Sequence, residues 1–200
     1  MKKEHSNNDN GVKGLIIGVI LLCLVLGYYF YLSNRRTENN QEEPVEITAV
    51  QDALMRNMDT SYPPTPREVV NYCAELAQCL YNETYTEEEF QELAFQIQKL
   101  YDDELVANKT QEQYLEDLKW DIEQLKEQEI IISSYSLSSS TDVEEYKKDG
   151  YSWASLYCTF TLKRGTQLEL SKEIFLLRKD EENHWKIYGW KLAEEEGSGQ

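Results

Sequence analysis

The chain has 200 residues, room for one ordinary domain plus accessories, and carries 37 acidic against 20 basic side chains for a net charge of −17. From Thr37 onward the imbalance sharpens to 15 basic against 35 acidic side chains, a surface that repels phosphate and so excludes nucleic acid and anionic lipid headgroups as partners. With only two histidines, His5 and His184, and no C-x-x-C, the chain cannot assemble a zinc site of ordinary spacing.

In chain order, a polar tail (residues 1–13) precedes "GLIIGVILLCLVLGYYFYL", 19 uncharged residues from Gly14 to Leu32. As a helix this run spans roughly 28 Å, close to the ~30 Å hydrocarbon thickness of a bilayer. The "YYFY" at 28–31 supplies an aromatic belt, and Arg35 and Arg36 follow it. The run is too long for a signal-peptide core and lacks an A-x-A-like cleavage site. Cys23 follows Leu22 in mid-run and so lacks the small preceding residue that a lipoprotein site needs. The expectation is a single transmembrane helix. Lys2, Lys3 and Lys13 lie before it and two arginines after it, which places the amino terminus inside and the remainder outside the cell membrane.

Residues 33–64 are polar and acidic and read as a stalk or linker, although "VEITAVQDALM" within them is apolar enough to dock on a domain as a strand or short helix. "PPTP" at 63–66 ends the stalk. Thr65-Pro66-Arg67-Glu68 reads as a capping box with proline at the first helical position, where its missing N–H costs nothing. Val69, Val70, Cys73, Leu76, Ala77 and Leu80 follow at helical spacing. Thr86-Glu87-Glu88-Glu89 and Thr110-Gln111-Glu112-Gln113 repeat the signal ahead of two further apolar stripes. Three helices are predicted, each cap worth ~1 kcal/mol.

After Glu129 the period shortens to two. "EIIISSYSLSS", "GYSWASLYCTFTL", "QLELSKEIFLLRK" and "HWKIYGWKL" are β-rich, with turn signals at Arg164-Gly165 and in "KDEENH". In the second of these, Leu156, Cys158, Phe160 and Leu162 share one face while Tyr151, Trp153 and Tyr157 share the other. The third is apolar in both phases, which a bulge near Ser171–Glu173 would explain. Residues 193–200, "AEEEGSGQ", read as a disordered tail. The spacing of Cys73 and Cys79 on one helix is wrong for a bridge, and Cys158 is left either to pair with one of them or to remain a free thiol. Helices first and an antiparallel meander second make an α+β domain over residues 65–192.

That element order, closing on "EIFLLRKDEENHWKIYGWKL", resembles the NTF2-like superfamily, whose final hairpin often runs from apolar residues through a charged turn into Trp-Lys-Ile. Here these are Phe175–Leu177, the turn 179–184, and Trp185-Lys186-Ile187 with Trp190. The resemblance implies three helices on a curved antiparallel sheet of about four strands, shaped as a cone. With "YPPTPREVV" and "LYDDEL", the chain also resembles membrane-anchored proteins of clostridial-type Gram-positive bacteria, a resemblance that brings a topology and no activity. Superfamily enzymes of the isomerase type use an Asp base inside the cone. No aspartate here maps onto that motif: Asp142, Asp149 and Asp180 fall in turns, and Asp117 and Asp121 lie beside the apolar stripe of the third helix.

Motif chemistry is thin. No G-x-S-x-G, Walker A loop, S-x-x-K or EF-hand loop occurs. His184 beside Trp185 is the only histidine placed on the domain, and "YDDE" at 101–104 is at most a loose cation site. No cofactor, metal site or catalytic residue is read from the sequence. What stands out is aromatic: Tyr151, Trp153, Tyr157 and Trp190 are the candidate pocket residues, since Tyr and Trp suit the mouth of a concave site. The functional expectation is a membrane-tethered, non-catalytic module that binds a ligand or an envelope protein. The alternatives are a scaffold subunit of an envelope or secretion assembly and a small-substrate enzyme with a buried carboxylate. A raised carboxyl pKa inside the cone would favour the enzyme, and a cone filled by its own side chains would exclude it.

Overall fold

The computed structural model describes residues 47–193. The apolar run at 14–32, the tail before it and residues 194–200 lie outside the described residues. Five helices precede five strands: α1 (Ala49–Leu54), α2 (Pro66–Asn82), α3 (Glu87–Lys99), α4 (Asp103–Val106) and α5 (Gln111–Glu127), then β1 (Ile130–Leu137), β2 (Glu144–Lys148), β3 (Tyr151–Arg164), β4 (Gln167–Lys179) and β5 (Trp185–Leu192). The fold class read from the sequence, one transmembrane helix followed by three helices on about four strands, is therefore corrected. The described residues form an α+β body with five helices and a five-stranded antiparallel sheet, and none of their helices is long and apolar enough to cross a membrane.

The three long helices start where threonine accepts a hydrogen bond from the backbone three residues on: Thr65 from Glu68, Thr86 from Glu89 and Thr110 from Gln113. At Thr86 and Thr110 the third residue returns a side-chain bond to the cap N–H, completing the capping box. At Thr65 it does not. There the threonine hydroxyl donates to the Glu68 carboxylate at 3.0 Å, and Pro66 occupies the first helical position.

The additions have physical reasons of their own. The segment left open in the stalk is helix α1, closed by a Thr48/Gln51 capping box and burying Val50 and Ala53 against the domain. The Tyr72 hydroxyl donates to the Ala53 carbonyl at 2.9 Å, which ties α1 to α2. Strand β2 is exposed along its whole length and is strand only because it pairs with β3. Strands β1 and β2 lie end to end along the same edge of β3, facing its second and first halves respectively.

The β2–β3 turn, Asp149-Gly150, has φ of 52° and 83° and so the two left-handed residues of a type I′ hairpin. Between β3 and β4, Arg164 pairs with Gln167 across Gly165, at φ 59°, and Thr166. A positive φ at the first central position alone is the type II′ arrangement.

The bulge expected near Ser171–Glu173 is not in β4, which pairs with β3 without a register shift from Gln167 to Arg178. Its mixed pattern arises because the outer face of the sheet also carries Leu168, Leu170, Ile174 and Leu176. The bulges fall at Ser133 in β1 and near Tyr188 in β5. The Asn82 amide satisfies the first of these from both sides, accepting from Ile132 N at 2.9 Å and donating to Ile132 O at 2.7 Å.

The core lies between the helices and the inner face of the sheet. Ala154, Leu156 and Cys158 of β3 and Phe175 and Leu177 of β4 pack with Val69, Val70, Leu76 and Leu80 of α2. Fully burying one such aliphatic side chain stabilises by roughly 1.5–3 kcal/mol. Cys73, Cys79 and Cys158 are all buried free thiols. The question of a Cys158 bridge is thereby answered in favour of apolar packing.

Candidate functional site

The inner face is not filled everywhere. A cavity of about 270 Å³ opens between α2, α5 and the sheet. Cys73, Ala74, Ala77 and Tyr81 line it from α2, spaced to share one face of that helix, and the two alanines leave the space that larger side chains would occupy. Tyr114, Leu118 and Leu125 of α5 form a second wall, and Ile132, Phe160, Leu162 and Phe175 form the sheet side. Tyr101, Ser171 and Trp190 also line it.

One ionisable acid belongs to this surface. Glu173 of β4 stands directly across from Cys158 and two residues before Phe175, so the alternation of the strand turns it inward. It has no hydrogen-bond or ion-pair partner among the described residues, and burial alone raises its carboxyl pKa above the usual carboxylate range. The groups around it are neutral donors. Burial pushes the Cys73 and Cys158 thiols up to about 12, and burial, then Asp121 and Glu173, push the Tyr81 hydroxyl up to about 12. Burial likewise raises Tyr101 and Tyr114, and Tyr114 donates to the Ala94 carbonyl at 3.0 Å. The cavity is thus an aromatic and aliphatic chamber with a single potential negative charge.

The sequence-predicted pocket residues divide between the two faces of the sheet. Trp190 borders the cavity, 47% exposed, with its ring 6.0 Å from Phe175 and 5.6 Å from Tyr101. Tyr151 and Trp153 lie on the outer face beside Arg178, whose guanidinium is 4.8 Å and 5.6 Å from their ring centroids and 4.9 Å from that of Tyr188. Arg178 makes a two-pronged bond to Asp102, at 2.9 and 2.6 Å, and a third to Glu104 at 2.8 Å. Those rings therefore flank a structural ion pair. Tyr157, also outward, has the Lys172 ammonium over its ring, at 4.2 Å.

The other candidates take structural roles. Asp102 and Glu104 of "YDDE" serve Arg178, and Asp102 also caps α4. His184 stacks on Tyr62 with centroids 4.4 Å apart, and its Nδ1 lies 3.5 Å from Glu182 and 3.8 Å from Asp180 in the β4–β5 turn, away from the cavity lining. Asp117 is exposed and paired with Lys109 at 2.6 Å. Among the described residues no group of three His, Cys, Asp or Glu is placed to hold a metal ion.

Glu173 is the residue that sequence reasoning missed. Between Lys172 and Ile174 it reads as a surface glutamate, and the one available signal was its phase with Phe175 and Leu177. A consequence follows for stability. The folded state holds the Glu173 proton more tightly than the unfolded chain, whose carboxyl lies near 4.5. Ionised Glu173 therefore destabilises the fold above its raised pKa, and the penalty disappears as pH falls through that value toward 4.5. Glu173→Gln is expected to melt higher than the natural chain at neutral pH and to lose that advantage below pH 4.5, as thermal denaturation across pH would show.

No curated protein matches the chain. The model for a domain of unknown function, DUF6715, matches residues 1–190, spanning the apolar run as well as the folded body. The chain belongs to the DUF6715 family.

Proposed function

We propose that this protein holds a non-catalytic, small-ligand-binding domain at the outer side of the cell membrane, tethered through residues 14–32. The observation that carries the binding role is the cavity of about 270 Å³, apolar over most of its lining and furnished with one unpartnered carboxylate. Concave, mostly apolar sites with a few placed polar groups are where small molecules bind. The raised carboxyl of Glu173 is also the feature that an enzyme with a buried carboxylate calls for; no catalytic motif accompanies it in the sequence, and binding requires only the cavity and its acid. The helices-then-meander order and the cavity between the two layers are what support the NTF2-like resemblance. The tether rests on the length and flanks of the apolar run, and the family match covers both parts together.

The test uses the full chain in dodecylmaltoside micelles with empty micelles as the blank. Saturation-transfer NMR with 2-phenylethanol as a neutral probe is expected to show binding to the natural chain. That binding should be lost in Ala77→Phe, which fills the cavity. A natural chain that binds neither this probe nor its charged analogues, 2-phenylethylamine and 3-phenylpropionate, above the blank would sink the proposal. For the location, a membrane-impermeant amine reagent applied to whole cells should label domain lysines such as Lys147 and Lys163. Labelling only after lysis would reverse the orientation.

A second reading, a scaffold subunit of an envelope assembly, draws on one observation. Leu168, Leu170 and Ile131 lie 66%, 68% and 42% exposed on the outer face near the β3–β4 turn. It predicts a stable oligomer in detergent that Leu168→Lys disperses.

A further inference from the structure

We propose that the ligand of the cavity is a small organic cation, a primary ammonium carried on an apolar body. This rests on the reading of the cavity as a binding site and names the class of molecule that its chemistry selects.

The lining has one group that wants a partner. A carboxylate accepts hydrogen bonds and offers none, and Glu173, half-buried in the wall, gives up part of its hydration with no donor or counter-charge among the described residues to replace it. Among the described residues the groups nearest Glu173 are neutral, Cys73 and Tyr81 of α2 and Cys158 of β3, and the other titratable groups of the lining, Tyr114 of α5 and Tyr101 from the segment before α4, are phenols. Asp121, near Tyr81, adds negative charge, and among the described residues no lysine, arginine or histidine lines the cavity. An ammonium entering the cavity supplies both the donor and the charge.

The remaining walls favour the same class. Rings from Tyr81, Tyr101, Tyr114, Phe160, Phe175 and Trp190 border the space, and aromatic faces attract cations through their quadrupoles. An anionic ligand would be repelled by Glu173 and by a chain of net charge −17, while cations are concentrated by that same field. A bare metal ion does not fit, because Ca²⁺ and Mg²⁺ want about six oxygen ligands with several anionic ones, and the lining offers one carboxylate beside neutral phenols and a serine hydroxyl. The charge must therefore arrive on an organic body.

Volume sets its size. A dry cavity of about 150 Å³ takes a benzene ring, so about 270 Å³ accommodates a ring with a short charged arm. Binding keeps Glu173 ionised, so affinity weakens as pH falls through the free-state pKa of Glu173, and the complex forms with release of a proton where that group is partly protonated.

The experiment compares 2-phenylethylamine, 2-phenylethanol and 3-phenylpropionate on the full chain in dodecylmaltoside micelles at pH 7.5, by titration calorimetry with empty micelles subtracted. The amine is expected to bind at least tenfold more tightly than the alcohol, and the acid not at all. Glu173→Gln should bring amine and alcohol within about twofold of each other. Equal binding of amine and alcohol by the natural chain, or an amine preference that survives Glu173→Gln, overturns the cation assignment and leaves the binding site standing. Failure of all three probes with the natural chain overturns the binding-site reading as well.

Discussion

Arg178→Met is expected to destabilise the domain by about 3–5 kcal/mol, because it strands Asp102 as a buried, unpaired charge. Asp102 is only 3% exposed and is the single buried charged residue among the described ones. Two of the guanidinium nitrogens hold its two oxygens, and the segment carrying it is fixed by Asp102 N donating to Ile187 O at 2.9 Å and Ile187 N to Leu100 O at 2.8 Å. The loss should therefore loosen the edge of β5 along with the ion pair. The Glu104 arm matters less, since that carboxylate is 60% exposed and surface pairs contribute little. Hydrogen bonds from Arg178, then Tyr188, hold the Glu104 carboxyl below its ordinary 4.5. Its small contribution is present above 4.5 and is lost as pH falls through the lowered value.

Urea denaturation reads the main effect. The double variant Arg178→Met/Asp102→Leu should recover most of the loss, since removing both charges removes the stranded one. A residual deficit of about 1 kcal/mol is expected from the α4 cap that Asp102 also provides. A single variant that costs less than 1 kcal/mol would show that water reaches Asp102 and that the pair is not the clamp described.

A chain shortened to begin at Thr65, the boundary that the proline punctuation suggests, is expected to lose on the order of 5 kcal/mol relative to one beginning at Ile47. Val50, Ala53 and Met58 are 1%, 2% and 5% exposed, and Val50 and Met58 alone account for roughly 1.5–3 kcal/mol each. Removing them also uncovers the α2 and α3 surfaces beneath and takes the Ala53 carbonyl from the Tyr72 hydroxyl, leaving Gln96 Oε1 at 3.0 Å as its acceptor. Since domains of this size are stable by only about 5–15 kcal/mol, the shorter chain should be partly unfolded at growth temperature. Matching melting temperatures for the two chains would mean that α1 rests on the body without supporting it.

The two boundaries differ for a reason that runs through the whole molecule. Thr65, Thr86 and Thr110 mark their helices within four residues each, and the apolar stripes behind them repeat at a local period, so α2, α3 and α5 are legible from neighbours in the chain. Helix α1 has an equally local signature in Thr48 and Gln51. Six residues cannot hold a helix alone, however, and burial of Val50 and Ala53 against α2 makes this one stable. Strand β2 is charged and exposed, with nothing in "EEYKK" to announce it beyond the Asp149-Gly150 turn that folds it onto β3.

Side-chain destination depended still more on partners far away in sequence. The alternation in β3 already separated Leu156 and Cys158 from Tyr151, Trp153 and Tyr157. Which of the two faces met the helices, and that Trp190 would join Phe175 while Tyr151 and Trp153 flanked Arg178, was decided by strand pairing and by Asp102, 76 residues away from Arg178. Glu173 is the sharpest case. Its composition and neighbours describe a solvated glutamate, and it becomes a cavity carboxylate only because β4 pairs with β3 so that Glu173 shares a face with Cys158, and because Ala74 and Ala77 are too small to fill the space beneath it. Periodicity, caps and charge balance are properties of adjacent residues and were determined by the sequence by itself. The cavity and its single acid exist only where two layers meet imperfectly, and that mismatch is a property of the packed fold.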